Sequence, residues 1–240
     1  HNYVHPETGE LITKERLEIK GLGKAKYILK PGGTLGDLYT NSDLVYNDDG
    51  YIEVDKNGNV AVKDDYMDDI YLGSVFPKYN LAWRNDFNYK GINLGVLFTA
   101  RIGGICYSAT QANMDLYGVS EASAAARDAG GVMINGRDMI DAQKWYQVIG
   151  SQSGLPQYYT YSATNVRLQE LSLGYTLPSK WFRDKMRMTV SFVGRNLWMI
   201  YCKAPFDPEA VASTGMNYQG IDYFMMPSMR NLGFNVKFQF

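Results

Sequence analysis

Residues 232–240 read Leu-Gly-Phe-Asn-Val-Lys-Phe-Gln-Phe, and every second one is apolar: Leu232, Phe234, Val236, Phe238 and Phe240 against Gly233, Asn235, Lys237 and Gln239. Successive side chains of a strand point to opposite faces, so this alternation predicts a strand with one oily and one wet face. The same pattern recurs upstream. Met186, Met188, Val190 and Phe192 alternate with Arg187, Thr189, Ser191 and Val193, and the run continues through Arg195 to Trp198. Leu171, Leu173, Tyr175 and Leu177 alternate with Glu170, Ser172, Gly174 and Thr176 until Pro178, which has no N–H to give a ladder. Around Tyr89-Lys90-Gly91, Leu81, Trp83, Phe87 and Tyr89 precede the turn and Ile92, Leu94, Val96, Phe98, Ala100 and Ile102 follow it, which predicts a tight hairpin. A sixth strand is expected over Gly23 to Lys30, ahead of Pro31-Gly32-Gly33, although its alternation is poor.

The connections differ in length as regularly as the side chains differ in polarity. They are short at 89–91 and 178–185 and long at 31–77, 103–164 and 199–227. A compact soluble domain rarely carries structureless connections beyond about 15 residues, whereas outer-membrane barrels pair short turns at one rim with long loops at the other. The strands approach the length of about 9–11 residues that a tilted membrane strand needs, against a soluble mean of about 5–6. Aromatic residues gather near strand ends at Trp83, Tyr89, Tyr175, Trp181, Phe182, Trp198, Tyr201 and Phe240, where interfacial girdles sit. A soluble β-sandwich with one solvated face also alternates. Loop asymmetry and the terminal Phe240 favour the barrel. Within the long connections, Tyr51–Val54 and Asn59–Val62 flank an Asn57-Gly58 hairpin turn, and 120–128 and 138–149 read as short helices.

With 45% hydrophobic and 20% charged residues in 240, the chain has material for a core. A formal net charge of -1 leaves no basic field, so no nucleic-acid partner is expected. His1 and His5 are the only histidines, which leaves no internal base for a serine nucleophile; no catalytic residue and no cofactor are expected. Cys106 and Cys202 form no C-x-x-C pair, so no cysteine metal site is expected, and they can pair only if their loops fold toward each other. No apolar run is long enough for a spanning helix, and residues 1–10 lack a signal-peptide pattern. The acidic stretches 47–50 and 64–69 invite a calcium reading. The nearest EF-hand register, from Asp55 through Asn57 and Asn59, fails at Val60 and Tyr66, where glycine and glutamate are required. A calcium site of another kind stays open, solvated acidic loops being commoner.

Several segments are recognisable together. Arg167–Pro178 reads RLQELSLGYTLP, Gly194–Trp198 reads GRNLW and Phe206–Ala210 reads FDPEA; upstream are YLGSVFPKY at 71–79, FNYKG at 87–91 and RIGG at 101–104. Over residues 31–240 this resembles the C-terminal end of the SusC/RagA family of TonB-dependent outer-membrane transporters. The resemblance implies an all-β fold: a transmembrane antiparallel β-barrel of about 22 strands, of which this chain supplies the last five or six, the plug and earlier strands lying elsewhere. It further implies the bacterial outer membrane as location, with 31–77, 103–164 and 199–227 as extracellular loops. The partners it implies are a SusD-like surface lipoprotein, TonB reached through the missing N-terminal part, the outer-membrane assembly machinery, the lipid bilayer, and an oligosaccharide or peptide cargo. The alternative is a soluble β-sandwich module that binds carbohydrate.

Within that frame Arg101, Glu170, Arg187, Arg195 and Lys237 are expected to face the lumen, and Phe234, Phe238 and Phe240 resemble the assembly signal. Loop aromatics Trp145, Tyr146, Tyr158, Tyr159, Tyr161, Tyr218 and Tyr223 are candidates to stack on cargo or anchor a partner, because rigid rings offer contact area at low entropic cost. Packing of the loops against one another is the competing role.

Overall fold

The computed structural model describes residues 2–4, 9, 11–13, 16–64, 69–213, 215 and 218–240. His1, His5, Tyr66 and the rest of 65–68 in the acidic run lie outside the described residues. The chain divides into two units, one of residues 77–104, 162–210 and 226–240 and the other of 1–76, 105–161 and 211–225.

The first unit is an antiparallel meander of five strands: β1 (Tyr79–Tyr89), β2 (Ile92–Ile102), β3 (Asn165–Thr176), β4 (Arg187–Cys202) and β5 (Asn231–Gln239). Their spatial order is the chain order, β5-β4-β3-β2-β1. The sheet is open, with β1 and β5 at its edges; the described residues form no closed barrel. Tyr89 pairs with Ile92 across the two-residue turn Lys90-Gly91, whose φ values of 48° and 87° are both positive. That backbone matches the right-handed twist of the flanking strands, and glycine carries the second position at no steric cost. The 178–185 connection closes through a 3-10 turn at Ser179–Phe182.

Register carries the alternation across all five strands. Phe87, Leu94, Leu173, Phe192 and Phe234 stand in one row, each opposite the next. Their face is exposed: Leu173, on the central strand, is 55% exposed and Phe234 is 81% exposed. Three residues along, a row on the opposite face holds Arg84, Leu97, Glu170, Arg195 and Asn231.

The second unit holds the hydrophobic core, because its elements are short and pack their apolar sides together. Leu38, Leu44 and Val75 come from the 31–77 connection, Tyr107, Trp145, Leu155 and Tyr159 from 103–164, and Ile221 from 199–227. Among the described residues it holds three α-helices: α1 (Ala109–Leu116), α2 (Glu121–Asp128) and α3 (Ala142–Ile149). Side chains of Ser108, Ser120 and Asp141 accept from the backbone N–H of Gln111, Ser123 and Lys144, satisfying donors that a helix start leaves free. Helix α2 occupies the residues expected of it. Helix α3 starts at 142, since Asp138–Ile140 pairs as a strand with Val132–Ile134. Helix α1 escaped the sequence reading.

The expected sixth strand forms at Ala25–Leu29 but pairs with Leu17–Leu22 and Asp37–Thr40, in a four-stranded sheet of this second unit. It is therefore not a sixth member of the long-stranded sheet. Ala25, Tyr27 and Ile28 are all buried, and a strand covered on both faces shows no period-2 signal. Cys106 and Cys202 form no disulfide with each other.

Candidate functional site

The five-stranded sheet presents two chemically opposite faces. Its apolar face carries aromatic residues toward both ends: Tyr89 and Tyr175 flank Ile92 at one end, and Tyr79, Trp83, Trp198 and Tyr201 lie toward the other. Trp83 stacks on Phe98 with ring centroids 5.6 Å apart. The 11 residues of β1 rise about 3.3 Å each, giving about 25 Å of height at a tilt of about 40°. That matches the apolar band of an outer-membrane wall.

Polar side chains occupy the other face, and the five predicted lumen residues Arg101, Glu170, Arg187, Arg195 and Lys237 all stand on it by register. Glu170 ties the face together. Its Oε2 lies 3.0 Å from Arg195 Nε on β4, and its Oε1 lies 3.4 Å from Arg84 Nη1 on β1. Arg84 also pairs with Asp86 at 2.8 Å.

Farther along the same face the chain builds a buried ionic cluster around Arg167, which is 2% exposed. Its Nη2 donates to Asp207 Oδ1 at 2.6 Å and its Nη1 to Asp207 Oδ2 at 3.3 Å, a bidentate arrangement suited to a planar guanidinium. Nε donates to Asn165 Oδ1 at 3.1 Å, and Glu209 Oε2 lies 3.2 Å from Nη2. Asn196 Oδ1 and Ser228 Oγ each lie 3.4 Å from Nη1. Ser228 Oγ also donates to Asp207.

Local backbone explains how Asn196 reaches this point. Two residues of β4, Asn196 and Leu197, lie between the pairs Glu170↔Arg195 and Leu168↔Trp198, where β3 has only Gln169. A bulge of this kind bends the strand and re-aims a side chain. Asn196 takes φ 51° there, a left-handed conformation that asparagine tolerates better than most residues. Its amide then donates to Ser228 Oγ at 2.8 Å and to the Ser228 carbonyl at 3.1 Å. Burial opposes the charge on Asp207, but Arg167, Ser228 and the Glu209 amide together hold its carboxyl below the ordinary range.

Arg167, Asn196 and Asp207 belong to the three strongest sequence motifs, RLQELSLGYTLP, GRNLW and FDPEA. No motif by itself announces a role for its residue. Their co-occurrence was the available signal.

The loop aromatics separate by position. Trp145 is 7% and Tyr159 is 2% exposed, and both belong to the core; Tyr146 and Tyr218 pack against it. A ring so covered offers no face to a ligand. Burial pushes the Tyr159 hydroxyl pKa up, with the nearby Asp115 carboxylate adding to it. Tyr158 meets Trp145 edge-on at 5.9 Å while remaining partly exposed, and Tyr161 is half-buried. Tyr223 is exposed and packs edge-on against Phe224 at 5.2 Å. Phe234 and Phe238 are exposed on the apolar face, and Phe240 is 99% exposed.

No group of three or more metal-ligating side chains occurs among the described residues. Asp55 instead accepts from the backbone N–H groups of Asn57 and Asn59 at 2.8 Å each, closing the Asn57-Gly58 turn.

Comparison with known proteins supplies the context. No family model matches the chain. Over 198 residues it is 25% identical to the TonB-dependent receptor P3 of Formosa agariphila, an alignment covering 78% of this chain and 19% of that receptor. The chain resembles a TonB-dependent transporter. It spans about a fifth of the length of that curated relative and about a quarter of the transporter chains of known structure that it matches. One of these is a structure of the RagAB peptide transporter, aligned over 97% of this chain and 24% of that one, with a TM-score of 0.55 and 14% identity. A second structure, of the RagAB peptide importer in its closed-closed state, aligns over 89% of this chain and 25% of that one, with a TM-score of 0.49 and 15% identity. The first of these two matches shows a fold shared with part of the RagAB peptide transporter.

Proposed function

We propose that this chain is a section of the wall of an outer-membrane importer. The oily face of β1–β5 meets lipid, the Arg84–Glu170–Arg195 face lines the lumen, and β1 and β5 pair with further strands to close a barrel of about 22 strands. One observation carries this reading: a five-stranded sheet of 9–16-residue strands exposes an apolar face, interrupted on β1 by Asn85 opposite Val96, with Leu173 uncovered on its central strand. A β-sandwich would bury that face against a second sheet. The name of the Formosa relative supports energy coupling through TonB.

Under this reading the short turns 89–91 and 178–185 lie at the periplasmic rim and the connections 31–77, 103–164 and 199–227 lie outside the cell. These exterior connections meet a SusD-like surface lipoprotein, and the cargo is a glycan or a peptide. Phe240, with Phe234 and Phe238, serves as the assembly signal. The import reading predicts uptake of labelled oligopeptides or oligosaccharides by cells carrying the full-length transporter and its lipoprotein, abolished when TonB is deleted. Equal uptake with and without TonB refutes the energy coupling. Purification of the full-length protein as a detergent-free soluble monomer refutes the wall itself.

A further inference from the structure

The Arg167 cluster has a geometry that a plain wall does not need. Arg167 stands on the same face as Thr99, its partner on β2, and the segment it grips, 204–210, is tucked in. Ala204 and Pro208 of that segment are buried. The Cys202 thiol lies 3.5 Å from the Ala204 carbonyl and 3.7 Å from that of Phe206. Asp207 accepts from the Glu209 N–H at 3.0 Å and its carbonyl from the Ala210 N–H at 3.1 Å, so the segment turns on itself. Ser228 and Asn196 tie a second stretch to the same carboxylate and the same arginine. A groove of about 380 Å³ is lined by residues 80–82 of β1, 99–101 of β2, Gln169 of β3 and Glu209 of the segment.

We propose that the Arg167–Asp207 clamp holds residues 204–210 as an inward ledge on the polar wall, and that this ledge limits the size and charge of cargo passing it. The inference rests on the import reading, which makes the polar face a passage. A bidentate buried pair is rigid, so the ledge stands at a fixed height above the wall, and pore selectivity follows from width and from the groups that line it. Its lip carries the Glu209 carboxylate, whose side chain is 42% exposed although it also reaches Arg167. Hydrated chains bearing hydrogen-bond donors and positive groups suit such a lip. Arg167 and Asp207 act here as positioning residues.

Asp207→Asn and Arg167→Lys in the full-length transporter, assayed in the outer membrane, test this with two readouts. The first is tryptic cleavage after Lys203; the second is the longest member imported from two ladders, labelled oligoalanines and malto-oligosaccharides. The expected result is cleavage about tenfold faster, the local opening being about 1.4 kcal/mol easier, together with a raised length limit, while Asp207→Glu stays near wild type. Unchanged cleavage overturns the clamp, and faster cleavage with an unmoved limit overturns the ledge's role in selection. If Asp207→Asn does not assemble, Glu209→Gln at the exposed lip decides. A severalfold loss of preference for lysine-containing over neutral oligomers supports the ledge, and an unchanged preference overturns it. A wild type that imports neither ladder removes the import reading and the ledge together, whereas a working wild type with unmoved limits removes the ledge alone.

Discussion

Arg167 Nη2 lies 2.6 Å from Asp207 Oδ1, with both side chains almost wholly covered. Forty positions separate the two residues, and the hairpin of β3 and β4 brings the second back over the first. Removing one partner of a buried pair leaves the other charged and unpaired, at a cost of about 3–5 kcal/mol. Arg167→Ala is expected to destabilise the folded protein by about that amount in denaturant titrations in detergent. Replacing the exposed Arg137, which meets Asp138 at 3.4 Å and the Tyr51 ring, should shift the same curve by less than about 1 kcal/mol.

Acid should weaken the second unit through Asp69. Its carboxylate pairs with Arg16 Nε and Lys30 Nζ at 2.8 Å each. These partners, Arg16 foremost, outweigh burial and hold its pKa at about 2. A depressed carboxylate contributes stability that is complete above its unfolded pKa, near 4, and that disappears as pH falls through about 2. Thermal melts of wild type and Asp69→Asn should differ at pH 6 and converge by about pH 2. A gap that persists at pH 2 would show that the carboxylate's charge is not what stabilises.

The two faces of β5 should respond oppositely to charge. Phe234→Lys puts an ammonium on the face proposed to meet lipid and is expected to cost about 2–4 kcal/mol at mid-bilayer depth, whereas Asn235→Lys adds it to the polar face and should cost far less. Folding of the full-length protein into lipid vesicles, followed by heat-modifiable gel mobility, measures both. Equal effects at the two positions would contradict the assignment of faces.

Phe240 is almost completely exposed, so its truncation removes little packing. Phe240→Ala should leave the stability of refolded protein within about 0.5 kcal/mol while lowering the amount assembled in the outer membrane of growing cells. Loss of refolded stability instead would assign the residue to packing.

Loop aromatics should divide by burial. Trp145→Ala opens a cavity in the core of the second unit and is expected to cost about 3–5 kcal/mol. Tyr223→Ala should leave stability intact and lower cargo uptake or lipoprotein capture by the full-length transporter. Uptake and capture both at wild-type level in Tyr223→Ala would leave that ring without a binding role.

The long strands were legible because alternation is a local signal: Ile92–Ile102 has the same ends in sequence and structure, and Asn57-Gly58 and Ser120 announced a turn and a cap. Other short elements were less legible. Strand Ala25–Leu29 lacks alternation because it is buried on both sides, and helix α1 has no strong apolar stripe to mark it. The candidate site was visible only as three separate motifs, since nothing in RLQELSLGYTLP says that its arginine will meet the aspartate of FDPEA.

By itself, the amino-acid order determined that this chain makes long two-faced strands and where the turns between them fall. Tertiary structure decided which connections share one core, which rings that core consumes, and that Arg167, Asn196 and Asp207 converge. The division has a physical cause: side-chain direction along a strand is set residue by residue, whereas a buried charge is placed by pairing between segments far apart in the chain, where register and a single bulge choose its partners.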